Sequence, residues 1–87
     1  MEYKEYDVVR LMTNKYKKEG FYKGMVGTIM ETSLHPRYMV AFPDFETHAD
    51  DLFTLHEKHL QLVPEEQLRN AFYNAKHDVE RYKNDTD

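Results

Sequence analysis

Three groups of residues in this chain have the types and spacing to do chemistry. The first is Lys15-Tyr16-Lys17-Lys18 followed by Phe21-Tyr22-Lys23, in which cations interleave with aromatics. Cations hold a phosphate backbone and ring faces stack bases, which is what a single-stranded nucleic-acid platform needs. Lys15, Tyr16, Lys17, Lys18, Tyr22 and Lys23 are its candidate contacts. The competing reading is structural: Phe21 and Tyr22 fold under the sheet while the lysines stay solvated. The second group is Asp44, Phe45, Glu46, Asp50 and Asp51, acidic with an aromatic at its centre. Carboxylates steer the encounter with a basic partner and a buried ring supplies affinity. A solvated turn accounts for the same residues without a partner.

The third group is His48, Asp50 and Asp51, with His56 and His59 following. His-x-x-His chelates a metal when both rings share a face, as at i and i+3 of a helical turn. Here the two would straddle a strand end, and no third ligand stands at a supporting spacing, so no metal site is expected. An acid/base pair in the same cluster would need a shielded pocket to shift a pKa, and 87 residues leave little depth for one. No serine or threonine sits on a nucleophile elbow. Gly20, Gly24 and Gly27 are not followed by the Gly-Lys-Ser/Thr of a phosphate loop. The expectation is a chain with no catalytic residue, no metal and no cofactor.

These groups must be held by short strands. Tyr6 to Thr13 suits a first strand, with Val9 and Leu11 on one face and Arg10 on the other. A basic loop follows from Asn14. Met25 to Thr32 is a second strand, Ser33 to Pro36 a tight connection, and Arg37 to Phe42 a third strand. Pro43-Asp44-Phe45-Glu46 is a turn. Asp51 to His56 is a fourth strand offering Leu52, Phe53 and Leu55 for burial; Glu57 to His59 is a single helical turn, and Leu60 to Val63 a fifth strand. Gly24 and Gly27 open the second run, and glycines in a strand mark the bends that curl a small sheet into a barrel. Pro64 then starts a helix, with Glu65 and Glu66 where the macrodipole favours negative charge. Leu68, Ala71, Phe72, Ala75, Val79 and Tyr82 form one apolar stripe, to be buried on the chain's own sheet or on a partner.

The organisation expected is therefore a barrel over residues 1–63, a helix over 64–83 and a frayed polar tail over 84–87. Seven tyrosines and five phenylalanines make the chain too aromatic to be disordered. The net charge of −4 argues against a general nucleic-acid binder. The charge is segregated: residues 10–23 carry five cations against Glu19, whereas residues 44–57 carry five carboxylates and no Lys or Arg. There are no cysteines, which removes disulfides and thiolate metal sites. No run reaches the roughly 18 apolar residues of a membrane span, and the start is no signal peptide. A cytoplasmic protein without membrane contact is expected.

Asp7-Val8-Val9-Arg10-Leu11, Gly24-Met25-Val26-Gly27-Thr28-Ile29, Tyr38-Met39-Val40-Ala41-Phe42, Leu52 with Leu55, and His59-Leu60 together resemble a family of small bacterial SH3-like barrel domains of unassigned function. The pattern also overlaps the KOW motif of ribosomal and transcription-elongation proteins. It covers residues 6–63 and leaves the helix outside. The glycine usual in the turn after the third strand is missing from Pro43-Asp44-Phe45-Glu46-Thr47. The resemblance implies a mainly β chain, a five-stranded SH3-like barrel with a C-terminal amphipathic α-helix. Some members resemble immunity proteins of bacterial toxin systems. The leading reading is thus a non-catalytic protein-binding module, an inhibitor that occludes a basic toxin or nuclease through Asp44, Phe45, Glu46, Asp50 and Asp51. One alternative is an RNA- or ribosome-associated module using the basic loop. Another is an accessory subunit docking through its helix.

Overall fold

A computed structural model describes residues 2–43 and 50–83, without the side chains of 78, 79 and 81–83. Five antiparallel strands form one sheet: β1 (Val8–Leu11), β2 (Val26–Glu31), β3 (Arg37–Pro43), β4 (Asp50–His56) and β5 (Leu60–Leu62). Their spatial order is β4-β3-β2-β1-β5. Each of β1 to β3 pairs with the next in sequence, and β5 returns to pair with β1, Val9 standing opposite Leu62. A one-turn 3₁₀ helix, Glu57–His59, carries the chain from β4 to β5. A second, Glu65–Gln67, leads into the helix α1 (Leu68–Lys83). Pro64 is its cap with an extended ψ of 148°, and the first turn after it is 3₁₀.

Alternation gives the sheet two apolar faces. On the inner face lie Val9, Leu11, Ile29, Tyr38, Val40, Phe42, Leu55 and Leu60, joined by Tyr3 and Phe21 from outside the strands. The outer face carries a smaller cluster, Val26 and Val63 against Ala71 and Ala75 of α1, with Val8 and Phe72 alongside. The stripe of α1 therefore packs on the chain's own sheet. Leu68, expected in that stripe, stays 38% exposed, and Val79 and Tyr82 fall among the side chains not described. The tail 84–87 also lies outside the described residues.

Two expectations about the backbone need correcting. The glycine pattern puts the bend at Gly24 and Gly27, but the register shift lies between Ile29 and Glu31. Gly24 precedes β2 at φ +98° and donates its N–H to the Leu11 carbonyl at 2.8 Å, closing the first loop onto β1. Gly27 has a different task. A Cβ there would lie 2.6 Å from Val40 Cγ1 and 2.8 Å from both the Ala41 carbonyl oxygen and Phe42 Cδ1. Glycine is what lets β2 and the core side chains of β3 approach this closely. The first strand also starts later than expected. Tyr6 takes φ +71°, and Lys4 N–H donates to Asp7 Oδ2 at 2.8 Å, so a turn occupies the residues before Val8.

The N-terminal segment contributes more to the core than its polar sequence announces. Tyr3 is 6% exposed. Its hydroxyl donates to the Leu60 carbonyl at 3.0 Å, and its backbone N–H donates to the Tyr38 hydroxyl at 3.2 Å. Burial first, then the charges of Glu57, Tyr38 and Asp7, push the Tyr3 hydroxyl above the ordinary tyrosine pKa.

Candidate functional site

The first loop supplies both core and surface. Lys17–Glu19 forms a 3₁₀ turn ended by Gly20 at φ +92°, and the Asn14 side chain accepts the Lys23 N–H at 2.9 Å. This geometry drives Phe21 inward, where it stacks on Phe53 at 4.3 Å with rings 15° from parallel. Tyr16 meets Phe53 edge-on at 5.0 Å and His59 at 5.5 Å. Tyr22 is half-buried and its N–H donates to Met25 Sδ at 3.1 Å. Phe21 is thus buried as the structural reading of this loop expects, Tyr22 only half so, and Tyr16, outside that reading, also packs internally. What remains for a ligand is the charge.

One of the loop's lysines joins cations from other elements at one place. Lys15 and Tyr16 meet Arg37 of β3, Thr54 and His56 of β4, and Lys58 and His59 of the 3₁₀ turn around a polar groove of about 370 Å³. Lys17, Lys18, Tyr22 and Lys23 do not line it. The hairpin register creates the gathering by setting Arg37 opposite His56. His56 Nδ1 accepts the Lys58 N–H at 3.1 Å, and the Tyr16 hydroxyl lies 3.1 Å from His59 Nδ1. Burial, followed by the charges of Lys58, Lys15 and His56, lowers the His59 pKa below the ordinary histidine value. Arg37, Lys58 and His59 were not assembled from the sequence as one site. Their common signal is the strand end shared by Arg37 and His56, which only the register makes visible.

A second groove, of about 480 Å³, opens on the outer face between α1 and the β3–β4 hairpin. Thr28, Met30, Ala41, Pro43, Asp50 and Phe72 line it. Leu52, expected to be buried, is 58% exposed, and Met30 is 42% exposed. Leu52 stands opposite Ala41 in the ladder, next to this groove. The reason is width. Five strands at about 4.8 Å spacing span about 19 Å, and one helix about 10 Å across covers half of that. Helix α1 sits over Val8, Val26 and Val63, and among the described residues this leaves Met30 and Leu52 exposed beside β3 and β4. Asp50, exposed at the start of β4, lines this groove, whereas Asp51, also exposed, stands opposite Phe42 of the inner face. Asp44, Phe45, Glu46 and His48 lie outside the described residues. Among the described residues no three His, Cys, Asp or Glu side chains gather as a metal site, and no helix is long and apolar enough to cross a membrane.

The architecture defined by these observations is a small antiparallel sheet backed on one side by a helix, with two surface grooves of opposite character. No family model, no curated protein and no solved structure matches this chain.

Proposed function

We propose that this chain is a non-catalytic protein-binding module whose sheet is an SH3-like barrel, and that its outer groove takes a basic, apolar-tipped segment of another protein. The observation that carries the reading is the outer groove beside β3 and β4, where, among the described residues, Met30 and Phe72 line it with Asp50 and exposed Leu52 stands alongside. Apolar surface with a charged rim is the usual composition of an interface: the centre supplies affinity and the rim steers the encounter. No Lys or Arg occurs from residue 44 to 57, so this stretch of sequence carries only negative formal charge. The partner class is a basic protein, and an inhibitor that occludes a toxin or nuclease has the required charge. The barrel assignment is supported by the strand succession, the return of β5 to β1 and the single helical turn between β4 and β5.

Fluorescence anisotropy against labelled nonapeptides tests this. Peptides with a Leu or Phe flanked by arginines should bind, and counterparts flanked by glutamates should not. Affinity should fall as salt rises from 50 to 200 mM, because rim charges are screened. Asp50→Lys with Asp51→Lys should weaken binding by at least tenfold, as should Met30→Asp. Normal binding by the double lysine variant, or equal binding of the acidic peptides, would refute the reading.

A further inference from the structure

We propose that the groove at the end of β4 is a site for a phosphate group carried on a small molecule, held by Arg37, Lys15 and Lys58. The chain as a whole has more carboxylates than cations, 16 Asp and Glu against 12 Lys and Arg. Yet three cations and two imidazoles line this groove, and no carboxylate does. Three separate elements deliver them: the first loop, the β3–β4 strand ends and the 3₁₀ turn. Among the described residues none of Lys15, Arg37 and Lys58 forms an ion pair. Lys15 sits 5.8 Å over the Tyr16 ring. Glu57, the carboxylate of that turn, has an oxygen 3.5 Å from His35 Nε2. Like charges brought together without a counter-charge repel, and a bound anion relieves that cost.

The donor set selects the anion. Arg37 offers a planar fork of N–H groups suited to two oxygens of one phosphate, the lysines add point charges, and the Thr54 hydroxyl adds one more donor. A volume of about 370 Å³ lies at the small end of the roughly 300–1,000 Å³ typical of small-molecule sites. The occupied ring of Tyr16 provides no stacking face for a strand of bases, which favours a small phosphorylated compound over a nucleic acid. His59 adds a pH dependence. It faces Lys15, Arg37 and Lys58 with His56 and Tyr16 alongside and Glu57 on the same turn, so a bound dianion would raise the His59 pKa that burial, Lys58, Lys15 and His56 depress. Affinity then rises as pH falls toward 6.

The experiment is NMR of the His56 and His59 ring signals during titration with pyrophosphate, and separately with inorganic phosphate, at constant ionic strength. Saturable shifts at both rings, with the His59 titration midpoint moving up, are expected. Arg37→Gln and Lys58→Gln should each weaken binding about tenfold while keeping the parent melting temperature. Arg69→Gln, on α1, should change nothing. Three results overturn the proposal: equal shifts from chloride, unchanged affinity in both glutamine variants, or binding of a ten-nucleotide oligo-dT where pyrophosphate fails. The site shares no residue with the outer groove, so its failure and that of the protein-binding reading are separate outcomes.

Discussion

Replacing Gly27 with alanine probes the closest approach in the sheet. The new methyl would meet Val40 Cγ1 at 2.6 Å, the Ala41 carbonyl oxygen at 2.8 Å and Phe42 Cδ1 at 2.8 Å. All three are well inside ordinary contact, and one is backbone of the neighbouring strand, so a rotamer change alone cannot make room. Overpacking of this kind costs about 3 kcal/mol. The alanine recovers about 0.5–1 kcal/mol by restricting the unfolded chain, which leaves a net loss of about 2 kcal/mol. In a domain of this size that lowers Tm by roughly 8–16 °C, readable by circular dichroism or calorimetry. Gly20→Ala is the control: its φ of +92° is strained for alanine, but nothing lies within 4 Å. It should lose about 1 kcal/mol, from backbone strain alone. The steric cause also predicts coupling. Val40→Ala removes the nearest clashing methyl, so the double variant should be about 1 kcal/mol more stable than the sum of the single losses predicts. A Gly27→Ala protein with parental Tm, or a double variant additive within about 0.3 kcal/mol, would refute the reasoning.

Tyr16→Phe removes the hydroxyl 3.1 Å from His59 Nδ1 and should cost about 1 kcal/mol in urea unfolding. The lowered His59 pKa fixes the sign of a pH effect: as pH falls through the unfolded value of 6.5, the unfolded chain takes up a proton that the folded chain resists. Stability should decline on acidification from about pH 6.5 to the folded value and not change through this group above it, and His59→Gln should flatten that decline in urea midpoints measured at pH 7.5 and 5.5. Ala71, 1% exposed against Val26 and Val63, has no room for a larger side chain. Ala71→Leu should cost about 1–3 kcal/mol by thermal unfolding, and a parental melt would mean that α1 is not seated on the sheet.

Much of this fold is legible in local pattern because local pattern is set by short-range physics. Tyr38, Val40 and Phe42 alternate with Met39 and Ala41, and that period announces β3 and its buried face. Glu57–His59 is legible as a single turn, and the Leu68-Ala71-Phe72-Ala75 spacing as an amphipathic helix. The basic loop and the acidic connection are visible as segregated charge. Less legible is anything that depends on which residues meet across the chain. Tyr3 reads as part of a polar start, and its burial follows from contacts with Tyr38 and Leu60, distant in sequence. Gly27 reads as a bend, whereas its purpose is the proximity of β3.

The candidate sites divide in the same way. Residue types alone established that cations and carboxylates occupy separate segments, and that apolar residues occur on both faces of β2. Only the tertiary structure joined Lys15 to Arg37 and Lys58, because the register of the β3–β4 hairpin and the path of the first loop decide which cations converge. Only it exposed Leu52 and Met30, because the position of α1 decides which half of the outer face is covered. Periodicity fixes the direction of a side chain relative to its own element; what lies opposite is set by long-range packing, which no local window of sequence contains.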